Sequence, residues 1–211
     1  KGVLTGDMGK SFVSGQPVFT TFVSKLPATM VLAVTSVLLT VLISIPFGIL
    51  SAVKQNSFWD YLIRFFSFIG NSLPNFFVSL LLIYFFALKL GWFPVLSSGS
   101  PSSLVLPTLA LAIPMTGKYI RQVRAAVLEQ LGRQYVDGAV SRGLKRRKVL
   151  FGYVLQNALV TIITLMSMSI GSLLGGTAAI EMLFVMPGMG YMVTNAVTGS
   201  DYPVIQGLVA F

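Results

Sequence analysis

Long stretches of this chain carry no charged residue, among them 28 residues between Lys25 and Lys54, 24 from Phe65 to Leu88, and 32 between Lys148 and Glu181. At a rise of 1.5 Å per residue, about 20 apolar residues in a helix cross the ~30 Å hydrocarbon core of a bilayer. Each stretch is therefore read as a spanning helix. A further span starts at Leu104, holds Pro107 and Pro114, and passes into Lys118, Arg121 and Arg124. The expected spans are about 28–53, 62–88, 104–124 and 149–174, with another beginning at 203. The fold class that follows is all-α, a polytopic membrane helical bundle forming one domain over 1–211.

Composition removes the main competitors. Only 10% of residues are charged, against roughly a quarter in soluble domains. The net charge of +9 clusters beside apolar spans, which fits the positive-inside rule and argues against nucleic acid as a partner. With no His and no Cys, disulfides, Cys/His metal sites and His-based catalytic triads are excluded. No catalytic residue and no metal site are expected. Gly9-Lys10-Ser11 looks like the end of a phosphate-binding loop, but the glycine required five residues earlier is replaced by Leu4. Any ATP chemistry must then reside in a partner. The chain opens without a Met start, basic n-region or cleavage site, so no signal peptide is expected.

Two polar features interrupt the spans. Asn71-Ser72-Leu73-Pro74-Asn75 sits in mid-span, where polar groups are costly unless they face protein or water. It reads as a kink satisfied by neighbouring helices or as the lining of a permeation path. Ser167, Gly171 and Gly175 form a small-residue ladder that lets another helix approach closely. Asn71, Ser72, Asn75, Ser167 and Gly171 are the candidate pathway residues. The methionines near the C-terminus read as apolar fillers ahead of soft metal ligands.

The loops fix an orientation. From Lys118 to Lys148 there are nine basic and two acidic residues, whereas Gly176 to Pro203 carries only the acids Glu181 and Asp201. The basic loop, about 125–148, is therefore cytoplasmic, and Lys1 to Lys25, Lys89 to Ser103 and Gly176 to Pro203 are external loops. Lys1, Lys10 and Lys25 run against this assignment. Within the basic loop Val136, Ala139, Val140, Gly143 and Leu144 recur at helical spacing and give a short amphipathic helix. Such a helix either lies on lipid headgroups or is offered to a soluble partner.

Cytoplasmic loops of bacterial ABC importer permeases carry E-A-A, three residues, G, nine residues, then I-x-L-P. In this chain the same frame reads Asp137-Gly138-Ala139, three residues, Gly143, nine residues, then Tyr153-Val154-Leu155-Gln156. Ala139, Gly143 and Leu155 match, Asp137 keeps the acid, and Gly138, Tyr153 and Gln156 depart. GDMGKSFVSGQPV (Gly6 to Val18), SLPNFFVSLLLIYFF (Ser72 to Phe86), LQNAL (Leu155 to Leu159) and the run from Leu173 to Gly207 extend the likeness. Together they resemble the oligopeptide, dipeptide and nickel permease family, B-type subunits.

The resemblance implies a type I ABC importer permease fold that lacks its first span and most of its last. It places the chain in the bacterial cytoplasmic (inner) membrane with a second permease, two ATPase subunits and an extracytoplasmic solute-binding protein. ATP and Mg would sit on the ATPases, with no cofactor in this chain. Asp137, Gly138, Ala139, Val140, Arg142, Gly143 and Leu144 become the coupling helix that docks in a groove of the ATPase. Gly143 can end that helix in a left-handed turn. Peptides, or nickel and other metals wrapped in chelators, are the implied cargo. The competing reading from composition alone is a secondary transporter or channel, whose ion coupling would ask for ionisable residues near the midplane.

Overall fold

The computed structural model describes residues 8–97 and 99–210. The first part of the GDMGKSF stretch and Lys1 lie outside the described residues. Nine α-helices, α1 to α9 in chain order, and two π-helical stretches account for the regular structure there, with no strand beyond one isolated bridge between Lys10 and Pro17.

Helix α1, Val18–Val53, runs for 36 residues, about 54 Å, and so exceeds the bilayer core. It absorbs residues 18–25, which charge and polarity assign to a loop. The Thr20 and Thr21 hydroxyls both donate to the Pro17 carbonyl at 3.0 Å, so polar side chains here open the helix instead of ending it. Helix α2, Phe58–Ser72, stops where Leu73 adopts an extended backbone, as the residue before a proline must. Pro74 lacks the N–H that would continue the ladder, and α3, Asn75–Leu82, starts afresh before a π-helical stretch over Ile83–Lys89.

Helix α4, Pro101–Leu131, continues into the basic loop well beyond 124. After α5, Gln134–Ser141, and α6, Arg146–Val149, a π-helical stretch over Leu150–Val154 leads into α7, Leu155–Leu183. Helix α7 thus passes through Gly175-Gly176 without ending, and Glu181 lies in a helix, not in a loop. Helices α8, Met189–Thr198, and α9, Tyr202–Ala210, complete the described chain. Three helical stretches, Val18–Val53, Pro101–Leu131 and Arg146–Met168, are long and apolar enough to cross a membrane, and α2 with α3 and its π stretch make a fourth if the broken pair counts as one.

The chain forms two compact units, the first of Lys1–Ser36, Asn75–Leu111 and Leu173–Phe211, the second of Val37–Pro74 and Ala112–Ser172. In the second unit helices approach one another closely at glycines. A Cβ on Gly48 would lie 2.6 Å from the Val123 Cβ, and one on Gly117 would lie 2.5 Å from the Ser67 carbonyl oxygen and 2.8 Å from the Asn71 nitrogen. Asp60 is fully buried there, yet its carboxylate accepts from Arg124 Nε and Nη2 at 2.9 Å each, from the Ser51 hydroxyl at 2.5 Å and from the Asn56 N–H at 3.0 Å. A buried charge is tolerable when its lone pairs are met in this way.

Two carboxylates organise the first unit. Glu181, fully buried, accepts from the Thr29 hydroxyl at 2.6 Å and from the Tyr191 N–H at 3.0 Å, while the Thr29 oxygen accepts from the Met189 N–H at 2.8 Å. Orphan N–H groups in the first turn of α8 are thereby satisfied by other helices. Gly188 has no Cβ because one would collide with the Glu181 carboxylate. Asp201 accepts from the Ser11 hydroxyl at 2.5 Å and the Phe12 N–H at 3.0 Å. The Ser11 bond, against the opposing effect of burial and with help from backbone N–H groups, holds the Asp201 carboxyl below the usual carboxylate range. Ser11, the serine of the partial phosphate-loop motif, is engaged in this contact.

Candidate functional site

The site is α5 and the turn that closes it. Arg133 precedes the helix with an extended backbone, and its guanidinium pairs with Glu129 at 2.6 Å, four residues back. Both partners are more than half exposed, so this pair adds little stability. Asp137 lies in the first turn, where a negative charge faces the positive end of the helix dipole. At the other end the Gly143 N–H donates to the Val140 carbonyl at 2.9 Å and the Leu144 N–H to the Ala139 carbonyl at 3.2 Å. These are the two bonds of a Schellman motif. They require the left-handed φ of +80° that Gly143 adopts, a conformation that glycine reaches without a steric penalty.

The seven candidate residues divide by face. Ala139 is 2% exposed and enters a core with Val136, Val127, Val149, Val154 and Ala158, against which Leu144 packs from a half-buried position. Asp137, Gly138, Val140, Arg142 and Gly143 are exposed. A Cβ placed on Gly138 would meet nothing within 4 Å, and Arg142 Nε donates to the Gly138 carbonyl at 3.0 Å. The outer face therefore presents a carboxylate, a bare stretch of backbone and a guanidinium, on a helix clamped from beneath by small apolar side chains. Where the resemblance leads to expect a proline bend at Gln156, the chain has the π-helical stretch over Leu150–Val154, a different irregularity at nearly the same place.

The candidate pathway residues lie on several elements. Asn71 is exposed and lines a cavity with Lys118, Arg121, Gln122 and Ala125. The Ser72 and Ser167 hydroxyls donate to carbonyls of their own helices, Phe68 at 2.8 Å and Ile163 at 2.9 Å. Asn75 is half-buried beside Gly176, its Nδ2 3.4 Å from where a Cβ there would stand. Gly171 is exposed, one turn along α7 from Ser167, and a Cβ on either Gly171 or Gly175 would meet nothing within 4 Å.

Residues 44–211 match the family model for the binding-protein-dependent transport system inner membrane component. The chain belongs to this family. As a family member it is a permease component of the inner membrane, in keeping with its long apolar helices. It is 36% identical to the oligopeptide transport system permease protein AppB of Bacillus subtilis, over 98% of this chain and 69% of that protein. It is 35% identical to the nickel import system permease protein NikB of Staphylococcus aureus, over 97% of this chain and 61% of that protein. Among solved structures, the inward-facing MetNI methionine ABC transporter shares the fold, with a TM-score of 0.69 at 16% identity over 89% of this chain and 88% of that one.

For this permease, sequence reasoning missed the polar contacts that hold the connections. Thr29 and Glu181 are 152 residues apart and Ser11 and Asp201 are 190 apart, so no local pattern pairs them. One signal was present for Glu181, because an acid that ends 32 uncharged residues and precedes Pro187-Gly188-Met189-Gly190 sits against a turn rich in free N–H groups. Asp60 and Arg124 gave no comparable signal.

Proposed function

We propose that this permease is a translocation subunit of an ATP-driven ABC importer whose α5 docks on a partner ATPase. In this reading it works with a second permease, two ATPase subunits that hold ATP and Mg, and an extracytoplasmic solute-binding protein. The observation that supports it is the two-sided construction of α5. Its inner face is fastened into the second unit by Val136 and Ala139, and its outer face, around Asp137, Gly138 and Arg142, is open. A body that pushes on the outer face moves the core beneath it, since that core joins residues from α1, α4, α6 and α7. Tilting those helices would expose the pathway alternately to the two sides. AppB and NikB, by their names, point to peptides and to nickel or its chelates as cargo.

The test uses Gly138→Trp. With nothing within 4 Å of a Cβ at Gly138, the chain itself accommodates the indole, whereas a docked subunit does not. The expected outcome is unchanged thermal unfolding of the permease, loss of ATPase co-purification and loss of ATP-driven uptake, with Gly138→Ala close to wild type. Full uptake with the tryptophan in place would sink the assignment of α5 as the coupling helix.

A further inference from the structure

Away from α5, the second unit carries two cavities that share Arg121. The larger, about 660 Å³, is walled by Tyr61, Arg64, Phe65, Phe68, Arg121 and Arg124. The smaller, about 400 Å³, is walled by Asn71, Lys118, Arg121, Gln122 and Ala125. Four basic side chains thus face these spaces. The carboxylate packed against them, Asp60, is saturated by Arg124, Ser51 and Asn56. Arg64 and Arg121 are exposed and have no carboxylate partner among the described residues. Arg64 instead lies 5.8 Å from the Tyr61 ring centroid, which keeps the guanidinium at the cavity wall.

Two further observations narrow the ligand. Phe65 and Phe68 are 60% and 63% exposed beside the arginines, so the larger cavity joins a basic wall to an apolar one. Gln122, whose amide can both donate and accept, lines the smaller cavity beside Arg121, which suits a ligand with a hydroxyl group. A phosphate diester that carries a hydroxylated headgroup and acyl chains meets all three demands. Arg64 of α2 and Lys118, Arg121 and Arg124 of α4 also lie towards the side that the charge distribution makes cytoplasmic, where anionic headgroups attract Lys and Arg.

We propose that this groove on α2 and α4 binds an anionic phospholipid of the phosphatidylglycerol type. The phosphate sits between Arg64 and Arg121, a headgroup hydroxyl bonds to the amide of Gln122, and the acyl chains run along Phe65 and Phe68. Guanidinium forks suit a phosphate better than ammonium groups because they bind it bidentately.

The experiment takes the assembled transporter in nanodiscs of phosphatidylcholine doped with phosphatidylglycerol and counts retained phosphatidylglycerol by native mass spectrometry. Each basic side chain at an anionic surface is worth about a five-fold change in binding. The paired variant Arg64→Gln/Arg121→Gln should then weaken retention about 25-fold, with unfolding in pure phosphatidylcholine unchanged. Arg64→Lys/Arg121→Lys should keep most of it. Equal retention in the paired Gln variant would overturn the site, as would loss only on neutralising Lys145 to Lys148. If inorganic phosphate displaced the lipid at equal concentration, the groove would be a free-phosphate site and the lipid proposal would fall.

Discussion

Helix α5 and the connection from α7 to α8 each follow a long helix, and they are made from opposite materials. The α7–α8 connection is held by a buried carboxylate, Glu181, whose acceptors are taken by Thr29 and Tyr191. Its glycines are where they are because side chains would strike Glu181 and Ala178. Helix α5 has no buried carboxylate among the described residues: Val136, Ala139 and the half-buried Tyr135 seat it, and a backbone motif at Gly143 closes it. A directional, desolvated hydrogen-bond network fixes the geometry of the joint it holds, whereas a close-packed apolar seat passes a push on the open face to the core beneath it. The first suits a joint that must not yield, the second a surface that receives a partner.

The sharpest way to break this contrast is Glu181→Ala, which leaves the buried Thr29 hydroxyl and the half-buried Tyr191 N–H without their acceptor. At about 1–3 kcal/mol for each unsatisfied group, thermal unfolding should report a loss on the order of 3 kcal/mol. If the loss is no greater than for a change on α5, the two connections are not different in kind. Acid sharpens the same contrast at Asp201. Its carboxyl is held below the usual range, so it contributes stability above about pH 4, which is lost as the pH falls through the lowered value. Unfolding followed by circular dichroism should show an acid-labile step that Asp201→Asn lacks. The smallest effect belongs to Gly143→Ala, because the open surroundings leave only the cost of the left-handed backbone, about 1 kcal/mol. A much larger loss would mean that α5 is anchored more firmly than its contacts suggest.

The spans were legible because a charge in lipid is expensive enough to leave a mark on every residue of a helix. The turn at Gly143 was legible because one backbone conformation calls for one residue type. Spacing proved a poorer guide to partners. The ladder Ser167, Gly171, Gly175 was visible, yet it faces open space, whereas Ser36, Thr40, Ser44, Gly48 and Ala52 on α1 follow the same four-residue interval and are all buried. A row of small residues marks a face without saying what covers it. Counting charge by loop also placed Glu181 outside the helices. The structure differs because a carboxylate can be buried when its donors arrive from distant segments, and those segments are adjacent only after folding.

The contacts at Gly48 and Gly117 have a mechanical consequence for the second unit. Where side chains separate two helices, a displacement of one is partly absorbed as the intervening rotamers readjust. Gly117 sets α4 against the backbone of α2 at Ser67 and Asn71, and Gly48 sets α1 against α4 at Val123. At Gly117 backbone meets backbone, at Gly48 only the stiff, β-branched Val123 side chain intervenes, and Asp60 bolts Ser51 of α1 to Arg124 of α4. Within that unit the three segments are stiffly geared, so motion delivered to any one of them is shared by all three with little slack.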